Sequence, residues 1–162
     1  MIRLFKYFSF FLFLPYLHSA ENCIGEYELN NWTNYCKGVY EGRFERYEGT
    51  FYDNRYSGNG ILIVYSSGLK YEGEFLNDEF HGYGKISNPQ NYKYEGYWKN
   101  NLKHGEGKLE LISLGDEEKI YQIVEGIFFD GYLLEGATKN LISGDIFEGF
   151  FNKKGRLEGE GY

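Results

Sequence analysis

Three groups of side chains in this chain are of types that could do chemistry. Glu48, Glu72, Glu95, Glu125 and Glu148 each stand between an aromatic or aliphatic residue and a glycine, in the triplets YEG, VEG and FEG. Carboxylates held about 5–10 Å apart can work as an acid–base pair. His81 and His104 each directly precede a Gly-x-Gly, and imidazoles are common zinc ligands. Cys23 and Cys36 are the only thiols. Each chemical reading has a structural rival. The glutamates recur at one position of a repeat, so they form a row with no unique, asymmetric pocket. In stacked hairpins the two histidines would fall ~9.6 Å apart, too far for one ion bound at ~2 Å by each, and no metal is assigned. Neither a Ser/His/Asp nor a Cys/His arrangement is present, nor a phosphate-binding loop. No catalytic or cofactor-binding residue is assigned, and no cofactor is expected.

The elements that must carry these residues follow from a repeat. YEGTFYDNRYSGNG begins at Tyr47, YEGEFLNDEFHGYG at Tyr71 and YEGYWKNNLKHGEG at Tyr94. Looser copies begin at Val124 and Phe147. The glycine of YEG and the first of Gly-x-Gly are nine apart in the first three copies: Gly49 and Gly58, Gly73 and Gly82, Gly96 and Gly105. In the last two they are ten apart, Gly126 to Gly136 and Gly149 to Gly159. The second glycines are Gly60, Gly84, Gly107 and Gly161, with Thr138 in the fourth copy. Self-similarity at this period is the mark of a repeat architecture. The units run 47–70, 71–93, 94–123, 124–146 and 147–162.

Period-two alternation gives each unit two strands. Tyr71, Gly73 and Phe75 share one face, Glu72 and Glu74 the other, and after the turn Asn77-Asp78-Glu79 a strand returns carrying Gly82, Gly84 and Ile86. The expectation is an all-β fold, an elongated single-layer antiparallel meander of hairpins, in which rings lie over bare glycine backbone. Neighbouring units would stack ring into gap, each ring contributing a few kcal/mol of burial. The aromatic face, with Phe51, Phe75, Trp98, Phe128 and Phe151, is both the expected core and a candidate partner surface. Lys85 and Lys108 are expected beside the glutamate row, partly neutralising it.

YxG followed by GxG on this period resembles the MORN (membrane occupation and recognition nexus) repeat over Tyr47–Gly161. The segment from Cys23 to Gly38 resembles the disulfide-closed lead-in of exported bacterial members. The resemblance implies consecutive hairpins in one twisted sheet. It also implies protein association or membrane-surface contact, since catalysis in the family belongs to separate appended domains.

Residues 1–20 open with Arg3 and Lys6 and continue through an apolar run to Pro15 and Ser19-Ala20. This is the layout of a cleaved secretory signal, too short to span a bilayer. Cleavage near Ala20 and an exported, periplasmic or secreted chain are expected. In an oxidising compartment Cys23 and Cys36 would form a structural disulfide, closing residues 21–46 as a cap. Beyond Ala20 the chain has 15 Lys and Arg against 24 Asp and Glu, a net charge of −9. That balance disfavours nucleic acid and anionic lipid. The reading is a non-catalytic interaction or scaffolding module that takes a protein partner, or a second copy, through a sheet edge or the aromatic face. A peripheral membrane module and a glycan-directed enzyme or binder are the alternatives.

Overall fold

The computed structural model describes residues 21–23, 34–89, 91–113 and 119–158. The expected leader at 1–20, part of the lead-in at 24–33, residues 114–118 and the glycines Gly159 and Gly161 of the fifth copy lie outside the described residues.

Among the described residues, twelve strands follow one another in chain order across a single sheet. They are β1 (Glu21–Asn22), β2 (Cys36–Glu41), β3 (Glu45–Tyr52), β4 (Arg55–Val64), β5 (Leu69–Leu76) and β6 (Glu79–Asn88). Then come β7 (Tyr92–Lys99), β8 (Leu102–Ser113), β9 (Lys119–Phe129), β10 (Tyr132–Asn140), β11 (Ile146–Phe151) and β12 (Leu157–Glu158). Every neighbouring pair from β2 onward is antiparallel; β1 alone runs parallel to its neighbour. At ~4.8 Å per strand, the sheet extends on the order of 50 Å across its strands.

Register is fixed by an unbroken line of paired glycines. Gly38, Gly49, Gly60, Gly73, Gly84, Gly96, Gly107, Gly126, Gly136 and Gly149 face one another strand after strand from β2 to β11. What fills the space above them differs from expectation. The ring of Tyr71 lies over Gly73 and Gly84 of its own hairpin, and Tyr47 and Tyr94 do the same over Gly49 and Gly60 and over Gly96 and Gly107. Ring-into-gap nesting is therefore internal to each unit. Contact between units is ring on ring. Tyr47 meets Phe75 at 5.1 Å, Tyr71 meets Trp98 at 5.7 Å and Tyr94 meets Phe128 at 5.4 Å, all edge-to-face. Edge-to-face geometry sets the positive rim of one ring on the negative face of the next. With Tyr47–Phe51, Tyr71–Phe75 and Tyr94–Trp98 at 4.9–5.0 Å, the rings form one continuous zigzag.

The two glycines of Gly-x-Gly do different jobs, a second departure from the expectation of paired gaps. Only the second lies under the buried tyrosine ring of its own hairpin. The first (Gly58, Gly82, Gly105) has φ of +55° to +66° and belongs to a β-bulge, where the register slips between Gly49 and Thr50 or Gly73 and Glu74. A left-handed backbone there suits glycine.

The turns inside the hairpins β3–β4, β5–β6, β7–β8 and β9–β10 are two-residue, with both residues at positive φ: Asp53-Asn54, Asn77-Asp78, Asn100-Asn101 and Asp130-Gly131. This is the type I′ geometry whose twist matches paired strands. The second turn residue also reaches the preceding hairpin. Asp78 Oδ1 accepts from the Tyr56 N–H at 2.7 Å and Asn101 Oδ1 from the Phe80 N–H at 2.8 Å. The backbone N–H groups of Asp78 and Asn101 donate in return to the Tyr56 and Phe80 carbonyls.

At the leading edge Cys23 and Cys36 are bonded, with Cα atoms 4.9 Å apart. A Cβ on Gly38 would stand 3.1 Å from Cys23 Sγ and 3.5 Å from the Phe51 ring. The disulfide thus covers the first glycine of the line where later hairpins use tyrosine.

Candidate functional site

One face of the sheet is filled from within. Tyr47, Phe51, Tyr71, Phe75, Tyr94, Trp98, Phe128 and Phe151 are all buried. Tyr56 stacks on Tyr47 and Phe80 on Tyr71, each at 3.8 Å between centroids. The residues considered as an aromatic partner surface, Phe51, Phe75, Trp98, Phe128 and Phe151, are therefore core side chains with at most 6% exposure. Phe147 differs: it is 50% exposed and pairs with Thr138, and no following hairpin ring covers it among the described residues.

Burial also sets the tyrosine chemistry. The Tyr47, Tyr71 and Tyr94 phenols are pushed well above their ordinary value of 10.0, chiefly because burial penalises the phenolate. Their hydroxyls are used: Tyr47 donates to the Thr50 carbonyl, Tyr71 to Glu74 and Tyr94 to Tyr97, at 2.9–3.0 Å. Each accepting carbonyl lies at a bulge.

In the third hairpin the return-strand position of Tyr56 and Phe80 is Lys103. Its Nζ lies 5.6 Å from the Tyr94 ring centroid and 5.8 Å from that of Tyr92. Burial holds this ammonium below its ordinary 10.5, so a cation fills a ring's slot and is held by π-faces.

The other face carries the glutamate row. Cross-strand register gives Glu48, Ile61, Glu72, Lys85, Glu95, Lys108, Glu125, Ala137 and Glu148 in sequence across β3–β11. The row is a charge-alternating strip in its centre, because Lys85 and Lys108 interleave Glu72, Glu95 and Glu125. Lys85 Nζ lies 2.9 Å from Glu95 Oε1, and Lys108 Nζ lies 3.1 Å from Glu110 and 3.4 Å from Glu125. Lys70 pairs with Glu72 at 3.1 Å, and Arg46 with Glu48 at 2.7 Å. Such exposed pairs are screened by solvent and salt and add little to stability.

Tyr83 and Tyr97, the neighbours across β6 and β7, add an exposed aromatic pair to this face, 5.4 Å apart and edge-to-face. The Tyr83 hydroxyl donates to Glu95 Oε1 at 2.6 Å. That bond, with the Lys85 ammonium second, holds the Glu95 carboxyl below its ordinary 4.5. A shallow trough of about 350 Å³ runs here, lined by Lys70, Glu72, Lys85, Lys93, Glu95, Lys108 and Glu110 among others. Sequence reasoning had not singled out Tyr83, Tyr97, Lys93 or Glu110, although alternation places them beside the glutamates.

The histidines do not converge on a ligand. His81 pairs across the strand with Glu74, while the His104 ring packs 5.4 Å from Phe129. The Nδ1 atom of each is buried without a hydrogen-bond partner. No group of three or more His, Cys, Asp or Glu is placed to hold a metal among the described residues.

A sheet of tandem hairpins, with one self-filled face and one open polar face, defines a single-layer β-repeat protein. Three segments of the chain match the MORN repeat family model, residues 47–63, 71–90 and 94–111, which fall on β3–β4, β5–β6 and β7–β8. The hairpins β9–β10 and β11–β12 lie outside the matched segments and continue the glycine line with Gly126, Gly136 and Gly149. No curated protein matches the chain. MORN repeats are generally protein- or membrane-interaction modules and generally non-catalytic.

Proposed function

We propose that this chain is a non-catalytic, exported interaction or scaffolding module that meets a protein partner with the polar face of its sheet. The observation that carries the reading is the division of labour between faces. The aromatic face is used up as core, while the opposite face offers Tyr83 and Tyr97 beside an alternating strip of lysine and glutamate. Exposed tyrosine next to mixed charge suits a wet, orientation-specific protein contact. Export is supported by the leader-like composition of residues 1–20 and by the Cys23–Cys36 bond.

The membrane reading is weaker, because the charge of −9 beyond Ala20 opposes attraction to anionic headgroups. Chemical cross-linking in the native compartment tests the proposal, comparing wild type with a Tyr83→Ala/Tyr97→Ala variant. Loss of the cross-linked partner with the sheet intact is the expected result. Unchanged cross-linking, or co-flotation with anionic liposomes, would point elsewhere. Amino-terminal sequencing of the mature chain tests export, with Glu21 as the expected first residue.

A further inference from the structure

We infer that the polar face is self-complementary and docks a second copy of this chain about a two-fold axis lying between β6 and β7. This rests on the interaction reading above and names the partner.

The argument is one of register. Three rows of side chains run across β4–β9 on this face. The central row reads Ile61, Glu72, Lys85, Glu95, Lys108, Glu125 and the row beside it Ile63, Lys70, Ser87, Lys93, Glu110, Ile123. A two-fold axis parallel to the strands, midway between β6 and β7, brings β6 onto β7, β5 onto β8 and β4 onto β9 of the other copy. Lys85 then faces Glu95, Glu72 faces Lys108, Lys70 faces Glu110 and Ile63 faces Ile123, each pair occurring twice. In the third row Tyr83 faces Tyr97, and these rings are 42% and 49% exposed. A sign alternation with a period of two strands becomes complementary about an axis between strands. A two-fold contact requires that self-matching.

Moving the axis to lie between β7 and β8 instead sets Lys70 against Lys139, because the β10 position of that row is Lys139. With the axis between β6 and β7, the one like-charge opposition in these rows is Glu74 with Glu106. The Glu74 carboxylate is already bent onto the Tyr83 N–H at 3.1 Å.

Six strands by three rows cover roughly 600 Å² per copy at the usual sheet spacings, the low end for a specific interface. A contact of this size built on ion pairs is salt-sensitive, with the aromatic pairs beside the axis in the outer row and water retained in the trough.

The test separates contacts between copies from contacts within one. Lys85→Glu leaves two facing glutamates in a homodimer, and Glu95→Lys leaves two facing lysines. Mixed one to one, the two variants restore both cross-copy pairs although each chain keeps its internal mismatch. Light scattering on the full chain at low salt should show a doubling of mass for wild type, monomers for each variant alone, and recovery of the doubled mass in the mixture. Lys70→Glu mixed with Glu110→Lys should behave alike. A wild type that stays monomeric up to millimolar concentration overturns the inference, as does a single variant that still dimerises or a mixture that fails to associate. A monomeric wild type leaves the protein-partner reading standing, since that is read by cross-linking to another protein.

Discussion

The Tyr71 hydroxyl donates to the Glu74 carbonyl at 2.9 Å, and to make that bond the phenol must cross the bare α-carbons of Gly73 and Gly84. Ring, glycine pair and bulge are thus one device. The glycines let the ring down onto the backbone, and the hydroxyl satisfies a carbonyl at the bulge that the first glycine of Gly-x-Gly creates. The same arrangement joins Tyr47 to Thr50 and Tyr94 to Tyr97.

Ring and hydroxyl can be separated by mutation. Tyr71→Phe keeps the ring and is expected to cost about 1 kcal/mol, for the hydrogen bond lost to a partly buried carbonyl. Tyr71→Ala removes the packing as well and is expected to cost about 3–5 kcal/mol. Urea unfolding of both variants measures the two shares; equal losses would show that the hydroxyl, not the ring, dominates.

Alkaline pH should unfold the sheet. The Tyr47, Tyr71 and Tyr94 phenols sit above their ordinary 10.0 in the fold because burial disfavours the phenolate. Below pH 10 both folded and unfolded states hold the proton, so this contribution to stability is fully present. Above pH 10 the unfolded chain ionises while the folded chain cannot, and stability falls. Denaturation midpoints measured from pH 8 to 12 should decline past pH 10, less steeply in Tyr71→Phe.

Gly84→Ala is a steric test. A Cβ there would collide with the Tyr71 hydroxyl and ring, and overpacking of this kind costs about 1–3 kcal/mol. Gly144, at φ +82° with open space around it, is the control: alanine there should carry only backbone strain, about 1–2 kcal/mol. Thermal melts should place Gly84→Ala lower, with edge-to-face coupling between Tyr71 and Trp98 disturbed in near-ultraviolet circular dichroism.

Lys103→Phe should stabilise the chain. The position is occupied by stacked rings in the two preceding hairpins, and its present ammonium is held in partly buried surroundings that lower its pKa. A ring stacked on Tyr94 adds roughly 1 kcal/mol beyond its area burial. The melting temperature should rise by several degrees; a fall would mean that the cation–π contact with Tyr92 and Tyr94 outweighs stacking.

The turn latch is testable at Asp78. Asp78→Asn keeps both the acceptor for the Tyr56 N–H and tolerance for positive φ, and should change little. Asp78→Gly keeps the backbone freedom and loses the acceptor, costing about 1 kcal/mol. Hydrogen exchange at the Tyr56 amide should accelerate in the glycine variant alone.

Much of this fold is legible in the residues themselves. Spacing between YEG and Gly-x-Gly announces a repeat, alternation around Gly73 assigns Tyr71 and Phe75 to one face and Glu72 to the other, and Asn77-Asp78 marks a turn. These are local facts, written in periods of two and of about 23 residues. The strip also follows from alternation once register is assumed, since Lys85 lies one residue after Gly84 and Glu95 one before Gly96.

What the residues could not disclose depends on which backbone lies beside which. That Gly82 is a left-handed bulge residue and Gly84 a ring seat is settled by the slip in pairing between Gly73 and Glu74. Without that slip the two glycines are equivalent by alternation. That Tyr71 rests on its own hairpin, and meets the next through Trp98, is a matter of ring reach across strands. The chain by itself determined the unit and its two faces; the tertiary structure decided which face is consumed as core, because only neighbouring hairpins bring Phe75 against Tyr47 and Trp98 against Tyr71 and so exclude water from rings that no single hairpin could bury.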